Sequence, residues 1–294
     1  MDLFLQQIIG GLATGGIYAS VALALVMIYQ ATGHINFAQG EMAMFSTYVA
    51  WTLINAGVPY WAAFFITVAA SFVGGIFIQR VILRPVENAP VLSVVIVFIG
   101  LLVIFNSVAG WIWSYTLKAF VSPFPERPFQ LFGGTTVRMH DMGAIAVTLI
   151  VLVFLYLFFR FTPLGLAMRA AAQNPVSSRL VGIRVGWMLG LGWGLAAAIG
   201  GVAGMMVAPI LFLDPNMMAG VLLYGFAGAL FGGITSPGGA VLGGFIVGVL
   251  ENLVGTYVPF VGNELKLTVA LVLIIGVLTI RPSGLLGKIV VTRV

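Results

Sequence analysis

Apolar runs of about 20 residues, the length that crosses a bilayer as a helix, alternate with short polar stretches along nearly the whole chain. They lie at 3–29, 42–57, 61–83, 91–113, 142–160, 188–213, 217–234, 238–257 and 266–281. The runs are too long and too continuously apolar for barrel strands, which alternate over about 10 residues. Within hydrocarbon every peptide group must be hydrogen-bonded, so helices remain. The second run is short. The seventh and eighth are glycine-rich and meet at ITSPGG (234–239), and they read either as two crossings or as a re-entrant pair. The pattern therefore predicts an all-α integral membrane protein, a polytopic bundle of about 8–9 transmembrane helices with broken or re-entrant segments.

Composition agrees. Of 294 residues, 61% are hydrophobic and 7% charged, against about 25% charged in a soluble domain. No hydrophilic stretch is long enough to fold alone, so residues 1–294 are expected to form a single transmembrane domain. The N-terminal MDLFLQQIIGG lacks the basic region and small-residue cleavage site of a secretory signal, and the first run is expected to be retained as a span. Cysteine is absent, which excludes disulfides and zinc–cysteine sites.

Net charge is +5. In a membrane protein this excess reads as topology rather than as affinity for nucleic acid, because Lys and Arg gather on the cytoplasmic side. With an external N-terminus, Arg80, Arg84, Arg160, Arg169, Arg179, Arg184, Arg281, Lys288 and Arg293 fall inside, and Lys118, Arg127, Arg138 and Lys266 outside. The C-terminus is then cytoplasmic. The longest external connection is 114–141 and the longest internal one 161–187.

The internal segment is ordered by its capping residues. Thr162 and Pro163 open a short helix over 164–173. Asn174 and Pro175 open a second, which runs to about Val181 and stops at Gly182. Two short helices bearing Arg169, Arg179 and Arg184 read as a protrusion that docks on something, or as a basic loop that only fixes topology. A second polar stretch, TGHINFAQGEM (32–42), interrupts the first apolar region with Gly33, His34, Asn36, Gln39, Gly40 and Glu41. It is either a simple inner turn or a broken helix, which at membrane depth must be buried in protein or line a wet cavity. Glu251-Asn252 lies late in the eighth run. An ionisable residue in a span marks a functional position by default, and a carboxylate bonded to a neighbouring helix is the structural alternative. The 38 glycines cluster in GGLATGG, GGVAG, GFAGALFGG and GGAVLGG, where small residues let helices approach closely.

No G-x-x-x-x-G-K-[ST] phosphate loop occurs, so ATP hydrolysis by that route is excluded. His34 and His140 are far apart, and neither a metal cluster nor a nucleophile–base–acid pattern is visible. The sequence is read as a non-enzyme. An ion-coupled secondary transporter or channel, using Glu41 and Glu251, is the alternative to a transporter driven from outside the chain.

Four blocks together resemble the permease family of branched-chain amino acid ABC importers, the LivH type: GHINFAQGEMAMFSTYVAW (33–51), GLAMRAAAQNPVSSRLVGIRV (165–185), FGGITSPGGAVLGGFIVGVLE (231–251) and RPSGLLG (281–287). They lie in the family's order and span nearly the whole chain. The resemblance implies a bacterial inner-membrane importer. A second, LivM-like permease subunit completes the translocation path for branched-chain or related amino acids. Two cytoplasmic LivG-like and LivF-like subunits bind ATP and magnesium, and this chain itself binds no cofactor. A periplasmic binding protein delivers the substrate. It also implies that residues 162–184 are the coupling segment seated on an ATPase, through Gly165, Arg169, Ala170, Asn174, Pro175, Arg179, Gly182 and Ile183. Asn36, Phe37, Gln39, Gly40, Glu41, Glu251 and Asn252 become candidates for the path or its gate. Ser177-Ser178-Arg179 departs from the family, which has a small or acidic residue before Ala there.

Overall fold

The computed structural model describes residues 2–87, 89–125, 127–130, 136–262, 265–281 and 283–287. Lys288 and Arg293, counted above among the inner cations, lie outside them. In chain order the elements are α1 (Asp2–Thr32), α2 (Gln39–Asn55), α3 (Tyr60–Phe77, continued by a π-helical turn Ile78–Leu83 and a 3-10 turn Arg84–Val86), α4 (Val91–Trp113), β1 (Pro128–Gln130), β2 (Thr136–Arg138), α5 (Met139–Phe161), α6 (Pro163–Gln173), α7 (Pro175–Leu180), α8 (Val185–Leu211), α9 (Met217–Gly232), α10 (Pro237–Tyr257) and α11 (Lys266–Ile280).

Every expected apolar run is a helix. Among the described residues, six helices are long and apolar enough to cross a membrane: α1, α3 with its π turn, α4, α5, α8 and α10. α9 and α11 are shorter apolar helices, and α2 has 17 residues. One departure from an all-α chain is a small antiparallel hairpin between α4 and α5, in which Pro128 pairs with Arg138 and Gln130 with Thr136.

The chain divides into two compact units, each assembled from separate stretches of sequence. The larger comprises Met27–Pro123 and Val147–Ala219. Its centre is α8, whose run of small residues leaves room for neighbouring backbones. A side chain at Gly75 of α3 would meet the Trp193 carbonyl oxygen at 2.5 Å, and one at Gly194 would meet the Phe72 carbonyl at 2.7 Å. On α8's α2 side, a side chain at Gly204 would meet the Ala43 carbonyl at 2.8 Å. Trp193 is fully buried and stacks on Phe98 of α4, ring centroids 5.9 Å apart. Lipid offers no hydrophobic drive between helices, so close backbone packing and interhelical hydrogen bonds must hold them. Here the Ser71 hydroxyl donates to Ser46 at 2.7 Å.

The other unit comprises Met1–Val26, Phe124–Ala146 and Gly220–Val294. Glycines hold it together. A side chain at Gly11 would meet the Val249 backbone at 2.7 Å, and one at Gly15 the Phe245 carbonyl at 2.9 Å. Gly244 and Gly248 of α10 abut the α1 backbone in the same way, and Gly228 of α9 abuts Gly244. After α11 the chain returns to α9, where Leu285 and Leu286 donate N–H bonds of 2.9 Å to the Phe231 and Gly232 carbonyls.

Candidate functional site

Three groups of expected residues come together separately. The first is the segment between α5 and α8. Thr162 caps α6, its hydroxyl accepting from the Gly165 N–H at 3.0 Å. Gly165 is buried so tightly that a side chain would meet the Phe159 backbone at 2.7 Å, which folds α6 sharply back on the end of α5. The Ala170 carbonyl accepts from the Asn174 N–H at 3.0 Å, closing α6. Asn174 then caps α7 by accepting from the Ser177 N–H at 2.9 Å, and Pro175 fills the first helical position. α7 ends in a Schellman motif: Gly182 has φ +87°, its N–H reaches the Arg179 carbonyl at 3.1 Å, and the Ile183 N–H reaches Ser178 at 2.9 Å.

The two short helices are seated by one side only. Ala171 is fully buried and clusters with Val185 and Leu189 of α8, against which Ala31, at the end of α1, also packs. Arg169 is exposed together with Leu166, Val176, Leu180 and Val181, the last four 60–84% exposed, and Arg179, also exposed, borders the cleft between α7 and the start of α8. The outward side of this capped pair of helices is thus basic and apolar at once.

The second group is the break between α1 and α2. Gly33 turns the chain with φ +73°, and residues 34–38 then run back along α8. Ala31 packs beside Val185 and Leu189, whereas the Gln39 amide donates to the Ala196 carbonyl at 2.9 Å. Ala196 stands about 10 Å beyond Leu189 and about 16 Å beyond Val185 along α8 at 1.5 Å per residue. The stretch is thus both a turn and non-helical backbone carried to the level of α8's middle. Buried polar groups satisfy it. Asn36 Oδ1 accepts from the Ala38 N–H at 3.0 Å and its amide donates to Gln39 at 3.3 Å. Gly200 leaves the space that the Gln39 amide fills, since a side chain there would meet it at 2.6 Å. Asn36 and Gln39 are fully buried, Gly40 and Glu41 are buried, and Phe37 is 39% exposed. α2 therefore begins three residues before the expected 42, because Gln39, Gly40 and Glu41 find partners and space inside the bundle.

Glu41 faces a residue that the apolar pattern concealed. Asn106, the lone amide in the run 91–113, donates to Glu41 Oε2 at 3.4 Å, to the Pro215 carbonyl at 3.0 Å and to Asn216 Oδ1 at 3.1 Å. Tyr115 donates to Asn106 Oδ1 at 3.1 Å. The rule that singled out Glu251, a polar group costly to leave in hydrocarbon, applies equally to Asn106.

The third group is Glu251-Asn252 of α10. Tyr18 of α1 donates to Glu251 Oε2 at 2.7 Å, and Tyr224 of α9 stacks on Tyr18 at 4.9 Å. The Asn252 amide donates to Thr14 Oγ1 at 3.1 Å and to the Gly248 carbonyl at 3.2 Å. The carboxylate is thus tied to the neighbouring helix. Tyr18, 233 residues away in sequence, carried no local signal.

Comparison with known proteins places this architecture. Residues 7–278 match the family described as the branched-chain amino acid transport system permease component. The high-affinity branched-chain amino acid transport permeases LivH of Escherichia coli K12 and BraD of Pseudomonas aeruginosa are each 32% identical, over 99% of this chain and 98% of theirs. A permease from Methanocaldococcus jannaschii, named as a probable LivH, is 29% identical over 95% of this chain and 91% of its own. Among solved structures, PsaBC of Streptococcus pneumoniae in complex with Fab shares the fold, with a TM-score of 0.52 at 12% identity, over 95% of this chain and 92% of that one. A match along nearly the entire length, on a helical bundle with several apolar spans, establishes that the chain belongs to the branched-chain amino acid transport permease family and is a multi-pass membrane protein.

Proposed function

We propose that the chain is one permease subunit of an ATP-driven importer of branched-chain or related amino acids, moved by ATPase subunits that dock on α6 and α7. The observation that carries this reading is the capped two-helix protrusion, basic and apolar outside and anchored on α8 and the end of α1 within. Displacement of α6 would be felt first by Ala31, Val185 and Leu189, which flank both the start of α8 and the break that leads to Gln39 and Glu41. α8 itself would carry the displacement from the docking surface to the buried polar cluster, since it bears Val185 and Leu189 beneath α6 and Ala196 beside Gln39, and differential nucleotide affinity would supply the bias between two packed states.

In this reading the whole chain acts as one permease domain in a bacterial inner membrane, with eight to nine crossings once the shorter helices are counted, and with its C-terminus and residues 162–184 in the cytoplasm. Asn36, Phe37, Gln39, Gly40 and Glu41 border the translocation path, and Glu251 with Asn252 braces α10 at its gate. A LivM-like permease completes the path, LivG-like and LivF-like subunits hold ATP and magnesium, and a periplasmic protein hands over the amino acid.

The test is purification of the tagged chain from native membranes with identification of the proteins that accompany it. Two ATPases and a second permease are expected. Leucine uptake by this polypeptide alone, driven by an ion gradient in liposomes, would refute the proposal in favour of a secondary transporter. Because the chain has no cysteine, a single Gln173→Cys reports topology without background. Labelling from the outer face would overturn the orientation.

A further inference from the structure

The junction of α3 with α8 carries a second feature. After Phe77 the backbone widens into the π-helical turn Ile78–Leu83 and then tightens through Arg84–Val86, a kind of irregularity that concentrates at functional sites. From this stretch emerge Arg80 and Arg84. Across from them stand Arg179 of α7 and Arg184, the residue that opens α8. All four line one cleft of about 350 Å³, together with Ile183 and Trp187. The Arg80 guanidinium lies over the Trp187 ring at 3.4 Å, and its Nε is buried without a hydrogen-bond partner. Among the described residues the one ion pair is Arg138 with Asp141, so none of the four arginines has a carboxylate. Four cations around so small a volume repel one another unless an anion sits between them.

A second, apolar groove of about 340 Å³ adjoins the cleft. It shares Ile183, Arg184 and Trp187 and adds Ala167, Met188 and Leu191. A basic recess opening onto an apolar groove, at the end of a spanning helix and beside a tryptophan, has the chemistry of a lipid rather than of a soluble ion: phosphate in the recess, acyl chain in the groove. We propose that this cleft binds the headgroup phosphate of an anionic phospholipid of the inner leaflet, with the arginines as ligands and the α8 groove holding the chain. The assignment to the inner leaflet rests on the orientation proposed above. The site lies directly behind α7, so the bound lipid would stiffen the base of the docking protrusion.

The experiment uses the full chain purified with its accompanying subunits. Retained phosphatidylglycerol is counted by native mass spectrometry after exchange into vesicles of phosphatidylcholine containing one-fifth phosphatidylglycerol. The wild type is expected to keep phosphatidylglycerol selectively and to gain thermal stability when it is added. Each basic residue near an anionic headgroup contributes about fivefold, so Arg84→Gln with Arg184→Gln should lower retention about thirtyfold. Arg84→Lys with Arg184→Lys, which keeps the charge, should restore most of it. Retention unchanged in the glutamine variant overturns the proposal, as does inorganic phosphate giving the same stabilisation as the lipid. Loss of the accompanying ATPases with lipid retention intact would reassign the arginines to a protein contact and also overturn it. Retention is read on isolated protein and does not depend on orientation, so outside labelling of Gln173→Cys would refute the cytoplasmic assignment while leaving lipid binding measurable.

Discussion

Gly182 offers the cleanest test of whether the shape of the α6–α7 protrusion matters. Its φ of +87° is one that L-residues disfavour, while a side chain built there meets nothing within 4 Å in this chain. Substitution therefore perturbs backbone conformation without a clash. Alanine in the left-handed region costs about 1–2 kcal/mol, or roughly a five- to thirtyfold shift in the local equilibrium. Asparagine, which tolerates that region, costs less, and valine costs more. The bonds at stake are Gly182 N–H to Arg179 and Ile183 N–H to Ser178. Their amide exchange should quicken in the order Gly, Asn, Ala, Val, by about five- to thirtyfold for alanine. Amino acid uptake by the reconstituted assembly should fall in the same order, with membrane insertion unchanged. Uptake ranked by side-chain volume, with asparagine worse than alanine, would mean that a partner covers Gly182 and excludes bulk. Full uptake despite accelerated exchange would refute the idea that the ordered end of α7 transmits force.

Four further outcomes are expected. Gly74 and Gly75 are neighbours with opposite surroundings, open space against the Trp193 carbonyl; Gly74→Ala should raise stability by about 0.5–1 kcal/mol and Gly75→Ala lower it by about 1–3 kcal/mol, read as shifts in melting temperature in detergent. Tyr18→Phe strips Glu251 of a 2.7 Å donor and should cost about 1–3 kcal/mol, whereas Glu251→Gln keeps an acceptor and should melt nearer the wild type while slowing uptake; a fall in melting temperature with uptake per folded molecule intact would make the carboxylate purely a brace. Asn106→Leu removes the donor shared by Glu41, Pro215 and Asn216 and should abolish uptake, with Tyr115→Phe the milder control; equal uptake by both variants would count against the cluster. Asn174→Ala should weaken the α7 cap by about 1 kcal/mol and Asn174→Asp restore it, seen in exchange at Ser177.

The spans and the caps were legible because each is written locally. Thr162, Pro163, Asn174, Pro175 and Gly182 define α6 and α7 by residue type alone, and the structure has those hydrogen bonds. What was not legible depends on distant partners. The start of α2 at Gln39 follows from a bond to Ala196, 157 residues away, so residues that fall in the polar gap before the second apolar run lie inside the bundle. The π turn at Ile78–Leu83 has no turn residue to announce it. Asn106 is one polar side chain in an otherwise lipid-compatible helix, and its importance appears only when α2 and the 215–216 stretch close around it. The β1–β2 hairpin is three residues a side, too short for any alternation to register.

The glycine contacts between α1 and α10 bear on how such a subunit changes state. Helices separated by a layer of side chains can slip past each other by swapping rotamers. At Gly11, Gly15, Gly244 and Gly248 that layer is missing, and main chain lies against main chain. The pair has nothing to re-sort. Whatever rearrangement carries an amino acid through, these two helices must ride it as a single strut, and bending must be found where side chains still separate the backbones.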